Sequence, residues 1–387
     1  MKVVYFSHSD GKYGAPRSLM DLVLNLRQIY NIEPIIVTSK QNELNELCDK
    51  NGIENYSVYY ADCMYGHEHR RGFIKRIHDI RVYWKMKWRH SHWNKKAIKT
   101  IENLIDFTTV DVIHTNVSVI DVGCIIADKY KIPHVWHIRE YGSSDDYAYL
   151  PYIKNFCDYI KYHSDKIIFI SDFVKKNWNK MGLSGDNAEV VYNAVQVSNN
   201  IRKEQNTETK ILFSGSSTPA KGLIDLINAV IVLKNEKLPP YCVYVYGDYD
   251  NPYGKNLVDH IKKNDIEQYF RFCGFDNSLK EHICDFDIGV ICSRSEAFGR
   301  VTVEYMKSGI LPIASNTGAN PELFGTQHKD LLYEFGNSED LAGIMKNAIC
   351  NPSERMNKIN AVKSYAEEKF NSLESVKRIY NIYNEIL

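Results

Sequence analysis

Two glutamates eight positions apart carry the first chemical signal. They are Glu296 and Glu304, in SRSEAFGRVTVEYMKSG at residues 293–309, with Gly299 between them. A helix opening near residues 300–302 places Glu304 in its first turns and Glu296 in the loop before it. The free N–H groups of a helix start attract an anion, phosphate above all. Gly299 lets a ligand approach the backbone with no Cβ in the way. Two carboxylates beside a phosphate repel it unless they bind hydroxyls instead. A carboxylate only accepts, and it bridges a vicinal diol with two charge-assisted hydrogen bonds. Phosphate on amides and hydroxyls on carboxylates together describe a nucleotide-sugar. On the carboxylates alone the plainer reading prevails, with Glu304 a helix-start charge and Glu296 a loop acid.

Loops of this kind need strands and helices to hold them. From the start, VVYFS reads as a buried strand, GKYGAP as a loop and RSLMDLVLNLRQIY as a helix. EPIIVTS, VDVIHTN, HVWHI and KIIFIS read as further strands, with helices near 41–50, 94–106, 118–130 and 147–163. After a polar run at 194–209 the alternation restarts with KILFSGSS, YCVYVYG, FRFCG, DIGVICS and LPIASN, and the tail from 338 is helical. Strands alternating with helices mean parallel sheet with right-handed crossovers. At 387 residues the chain is long enough for two such domains at about 150 residues each. The expectation is α/β: two Rossmann-like, doubly wound domains facing across a cleft, residues 1–195 and 208–369. Ligands in such sheets bind at the carboxyl ends of the strands.

EAFGRVTVE followed by SGILPIASNTGANPEL resembles the Glu-x7-Glu signature of retaining glycosyltransferases of the GT-B fold, specifically glycosyltransferase family 4, and the resemblance covers nearly the whole chain. It implies that Glu296 contacts the donor sugar and Glu304 the nucleotide ribose, with Phe298, Gly299, Arg300 and Val301 lining sugar and diphosphate. FSGSSTPAKGLIDLINAV resembles the family's phosphate-binding strand and helix start, and Lys221 matches its diphosphate lysine. Many members carry Arg where this chain has Ser216, which removes one cation unless Arg300 substitutes. The loop GKYGAPRS, with Gly11 and Gly14, resembles the family's first glycine-rich loop. It is not GxGxxG, so a dinucleotide fingerprint is absent.

Two histidines lie in first-half strands, His114 and His137. A lone strand histidine is more often structural. The resemblance implies that His137 stands near the donor sugar, as a catalytic residue with Glu296 and Lys221. His114 is left on the acceptor side, with Arg139 and Glu140 at the same rim as a mutually paired support. Asn193 matches a position facing the cleft, and Ser171 is a weaker candidate. No Asp-x-Asp metal motif is expected at a strand end, and catalysis is expected with neither metal nor cofactor. The family implies front-face attack, with the leaving diphosphate oxygen helping to deprotonate the acceptor.

Charge and apolar patterning suggest the acceptor. Lys and Arg number 48, and so do Asp and Glu, yet residues 70–99 hold eleven basic residues against the single acid Asp79. Arg70, Arg71, Trp84 and Trp88 belong to this segment, and Ile74, Ile77, Ile80, Trp84 and Trp88 recur at helical spacing. A basic amphipathic helix bearing Trp suits an anionic membrane surface, or packs its stripe on its own domain. No apolar run reaches the roughly 18 residues of a membrane span. The nine cysteines include no CxxC, which argues against zinc and disulfide frameworks. His8 and Asp10 interrupt any signal-peptide core. The expectation is a cytoplasmic, peripheral, retaining hexosyltransferase. It takes a nucleotide-sugar, UDP ahead of GDP, to a glycan or lipid-linked acceptor in cell-surface polysaccharide synthesis, with no nucleic-acid partner. A nucleotide-sugar 2-epimerase and a non-catalytic scaffold on the same fold are the alternatives. The helix from about 370 to 387 is expected to pack back on the first domain.

Overall fold

The computed structural model describes residues 1–8, 14–68, 73–142, 147–198 and 208–387. Gly11, Arg70, Arg71 and most of the 194–209 run lie outside the described residues. The chain divides into two compact units, Met1–Ala194 with Ser372–Leu387, and Val195–Asn371.

The first unit is built on strands β1 (Lys2–Ser7), β2 (Glu33–Thr38), β3 (Glu54–Ser57), β4 (Met64–Glu68), β5 (Val112–Thr115), β6 (His134–Ile138), β7 (Tyr147–Pro151), β8 (Lys166–Phe169) and β9 (Ala188–Val190). Seven of them form one parallel sheet in the order β3-β2-β1-β5-β6-β8-β9. Their central members are buried almost throughout, as strands covered on both faces must be. The helix Gly14–Tyr30 covers one face with Leu19, Leu22, Val23 and Leu26. The helix Ser372–Ile386 seals the same cluster with Val376, Ile379, Ile382 and Tyr383. Each such aliphatic side chain contributes about 1.5–3 kcal/mol on burial. Arg378 adds a forked ion pair to Glu189, both contacts at 2.6 Å.

Two expectations are corrected here. Residues 147–151 are not the start of a helix: β7 pairs antiparallel with β4 in a separate two-stranded sheet. The Tyr-Ala-Tyr-Leu-Pro run has strand chemistry that only the partner strand reveals. The helix read near 94–106 is the end of one 32-residue helix, Phe73–Leu104, that includes most of the basic segment.

The second unit carries β10 (Thr209–Ser214), β11 (Tyr241–Tyr246), β12 (Phe270–Gly274), β13 (Ile288–Ile291), β14 (Leu311–Ser315) and β15 (Leu332–Tyr333). They form one parallel sheet in the order β12-β11-β10-β13-β14-β15. The order reverses between β10 and β13, which pair through Ile211↔Ile288 and Leu212↔Gly289. A crevice at the carboxyl ends of the strands on either side of such a reversal is where doubly wound sheets bind ligands. The loops after β10 and β13 therefore matter most.

Candidate functional site

Those two loops carry Lys221 and Glu296. After β10 the chain runs through Gly215 and Ser216 into a short 3-10 turn, Pro219–Lys221, and then the helix Leu223–Leu233. Gly222 makes the junction at φ 66°, and a Cβ there would collide with the Cys292 carbonyl just after β13. Glycine at 222 therefore lets the two loops touch. The Arg294 amide donates to the Ala220 carbonyl at 2.8 Å. Lys221 Nζ then meets Glu296 Oε1 at 2.6 Å. Both side chains are partly exposed, so the pair adds little to stability. Its importance is the placing of a cation and an acceptor side by side.

The Glu296 loop is held from its far side. Ser315 and Thr317 hydroxyls donate to the Ser293 carbonyl at 2.6 and 2.9 Å, and the Ala319 amide donates to the Glu296 carbonyl at 2.9 Å. Gly318, at φ 59°, presses so close to the Glu296 backbone that any Cβ would collide with it. The loop ends at Gly299, φ 85°, which starts the helix Arg300–Ser308 with no side-chain cap on its first amides. Glu304 lies inside that helix, mostly buried. Arg300 Nε donates to its Oε1 at 2.9 Å, and Lys280 Nζ stands 3.6 Å from the same oxygen. Lys280 was not legible as a site residue, because nothing in LKEHICDF marks it.

Ser216 is exposed in the loop after β10 and Val301 is half-buried in the first helical turn. Phe298 corrects the expectation that it lines the sugar. Its ring is buried and meets Phe370 edge-on at 6.2 Å, so it anchors the loop from beneath. Asp248 and Asp250 correct another reading, since they do form an Asp-x-Asp directly after β11. Their carboxylates turn to local partners, Asp248 to the Asp250 amide at 3.0 Å and Asp250 to Lys255 at 2.8 Å. Among the described residues no group of three or more His, Cys, Asp or Glu gathers as a metal site.

In the first unit the expected residues form a buried polar file. His114, wholly buried, stands between Tyr383 Oη at 2.7 Å from its Nδ1 and His137 Nδ1 at 3.2 Å from its Nε2. This corrects its acceptor-side placement, because no edge of the ring is free to meet an acceptor. His137 is 3% exposed. Burial first, then the Arg139 charge, hold both imidazoles well below their usual range. Arg139 donates to Asn116 Oδ1 at 2.7 Å and Asn193 Oδ1 at 2.5 Å, which locks Asn193 in place. Glu140 is not the partner of Arg139: it accepts from the Ser118 amide and hydroxyl at 2.9 and 2.7 Å. Ser171 caps the helix Asp172–Lys180 through the Val174 amide, a local duty. Gly14 is exposed at the first turn of its helix.

Asp62 escaped the sequence reading. Its loop is stapled by Tyr60 to the Ser7 and Val37 carbonyls and by Asn94 to the Ala61 backbone. Although Asp62 keeps exposed surface, partial loss of water around its carboxyl pushes it up, offset in part by His8. Further along the helix Phe73–Leu104, Asn94, Ala97 and Ile101 are buried, whereas Ile80, Trp84 and Trp88 are 59%, 60% and 63% exposed. Spaced four apart, these three form one stripe, beside Arg81, Lys85 and Lys87.

Comparison with known proteins gives concordant matches. The family model described as glycosyl transferases group 1 matches residues 196–366, and that of Glycosyltransferase Family 4 matches residues 13–199. The chain is 27% identical over 311 residues to an uncharacterized glycosyltransferase of Methanocaldococcus jannaschii, covering 78% of this chain and 82% of the relative. It is 24% identical over 310 residues to the O-antigen biosynthesis glycosyltransferase WclY of Escherichia coli, covering 76% and 83%. The solved structure of HepE from Anabaena in complex with UDP matches over 100% of both chains, with a TM-score of 0.79 at 18% identity. That likeness shows the fold, GT-B.

Proposed function

The chain belongs to the group 1 glycosyl transferases of glycosyltransferase family 4, and from that premise we propose that it moves a hexose-type sugar from UDP to a glycan or lipid-linked acceptor, with retention. The single observation that carries this reading is the pairing of Lys221 with Glu296 at 2.6 Å, beside the uncapped start of the helix Arg300–Ser308. A diphosphate is drawn to Lys221, Arg300 and the first helical amides, which are fixed before the reaction and stabilise the charge that develops on departure. Glu296 accepts from sugar hydroxyls and Glu304 from the ribose diol. Neither carboxylate is assigned as a nucleophile, so the acceptor attacks from the face the diphosphate leaves, and a diphosphate oxygen takes its proton. The cations already in the site make a metal ion unnecessary.

Two relatives support the finer points. HepE was solved with UDP, which favours the same base here. WclY is an O-antigen enzyme, which favours cell-surface polysaccharide as the product. The exposed Ile80-Trp84-Trp88 stripe with its basic neighbours suits an anionic membrane surface, where a lipid-linked acceptor is presented. Incubation of the protein with UDP-hexoses and a lipid-linked acceptor, with EDTA present, tests the reading. An α-linked product from an α-linked donor, lost in Glu296→Ala, is expected, and an inverted product or a strict need for metal would refute the mechanism.

A further inference from the structure

Five polar side chains run through the core of the first unit: Tyr5 on β1, His114 on β5, His137 on β6, Arg139 beyond β6 and Tyr383 on the helix Ser372–Ile386. A neutral imidazole has one proton, and its neighbours decide which nitrogen holds it. Arginine only donates. Arg139 Nη2 approaches His137 Nδ1 at 3.5 Å, so Nδ1 presents its lone pair and the proton sits on Nε2. His114 Nε2, 3.2 Å from the same Nδ1, must then carry a proton of its own. That leaves His114 Nδ1 as an acceptor, which the Tyr383 hydroxyl fills at 2.7 Å. The 3.3 Å contact from the Tyr383 hydroxyl to Tyr5 competes for the same single hydrogen, and the shorter 2.7 Å bond to His114 takes it. The opposite polarity would aim a His137 N–H at a guanidinium N–H.

The consequence falls on His137 Nε2, which is buried and has no hydrogen-bond partner among the described residues. A buried N–H of this kind is costly unless an oxygen comes to it. His137 and Arg139 line a small cavity with Ser18, Asn193 and Ser375. We propose that Tyr383 is a positioning residue which, through His114, fixes His137 as a neutral hydrogen-bond donor to one ligand hydroxyl rather than as a base. This rests on the reading of the protein as a glycosyltransferase.

Long-range proton–nitrogen NMR on the full chain, labelled in its imidazoles, tests the polarity without any assay of activity. Across about pH 6–8, where an ordinary histidine titrates, both rings are expected as Nε2–H tautomers that do not titrate. A proton on Nδ1 of either ring overturns the proposal. In Tyr383→Phe, His114 is expected to become a tautomer mixture, and kcat to fall about ten-fold with the donor KM unchanged, the split that separates positioning from binding. Unchanged tautomers and kcat would remove Tyr383 from the role. His137→Gln, which keeps an N–H near Nε2, is expected to retain about a tenth of the rate, and His137→Glu, which only accepts, about a hundredth or less. Equal rates in those two variants would overturn the donor role. If the wild type transfers no sugar, the functional reading falls, while the NMR result still decides the polarity.

Discussion

Lys221 Nζ stands 2.6 Å from Glu296 Oε1, one residue from each loop flanking the strand reversal between β10 and β13. Seventy-five positions separate them in the chain. The sheet brings them together, Gly222 lets their loops touch, and Gly318 holds the glutamate's loop from behind. Glu296→Ala is expected to lower kcat by about 10²–10³-fold, the usual cost of losing a fixed polar contact to the reacting group. Circular dichroism and melting temperature stay near wild type, because the pair is partly exposed. The double variant with Lys221→Ala loses less than the sum of the single losses, since the two groups act as one unit.

Glu304 has a different expected signature. It sits inside a helix, mostly buried, with Arg300 and Lys280 on one oxygen. Glu304→Ala should weaken nucleotide binding by about 1.5–3 kcal/mol, the worth of a hydrogen bond to a charged group. Titration calorimetry reads this directly, and unchanged affinity would detach Glu304 from the ribose.

Glycine at 222 is under a sharper constraint than either glutamate. Its φ is 66°, and a Cβ would strike the Cys292 carbonyl. Gly222→Ala is therefore expected to cost about 2–4 kcal/mol in urea unfolding, as strained backbone with a steric clash does. Gly14, with nothing near a Cβ among the described residues, should tolerate alanine with stability unchanged within about 0.5 kcal/mol.

Buried histidines set the response to acid. Burial holds His114 and His137 well below the usual imidazole range and pushes His134 down to about 4. Their folded-state pKa values lie below the unfolded value, so the unfolded chain binds more protons as pH falls, and stability falls with it. This contribution is complete above about pH 6.5 and shrinks below it. Between about pH 7.5 and 5.5 the three rings together account for a loss of up to about 4 kcal/mol. Urea midpoints across that range check the slope, and a flat profile would contradict the burial of all three.

The exposed Ile80-Trp84-Trp88 stripe predicts a surface effect separable from chemistry. Trp84→Ala with Trp88→Ala should reduce binding to anionic lipid vesicles by about ten-fold or more, while transfer to a soluble acceptor stays unchanged. Equal vesicle binding by the double variant and the wild type would leave the stripe without this role.

Legibility in the sequence followed the range of the interaction concerned. Strands buried on both faces show as unbroken apolar runs, so VVYFS, KIIFIS and KILFS could be read directly. The loops that carry Lys221 and Glu296 could be read from the motifs around them, and the fold brings the two side chains to 2.6 Å. Residues 147–151 could not, because their strand state depends on pairing with Met64–Glu68. Phe298 read as a site residue from its neighbours, whereas its ring is committed to Phe370. The Tyr383–His114 bond spans 269 positions, and nothing local to either residue announces it. Asp248 and Asp250 show the converse: an Asp-x-Asp is present in the sequence, but its carboxylates serve local partners.

The central claim is a nucleotide-sugar site in the second unit, built on Lys221, Glu296 and Glu304. Its most direct test is calorimetric titration of the purified protein with UDP, GDP, ADP and CMP in metal-free buffer, beside Glu304→Ala. The account predicts that UDP binds and that the variant binds it about 10–150-fold more weakly. Binding of none of the four, or equal binding of UDP by wild type and variant, would contradict it.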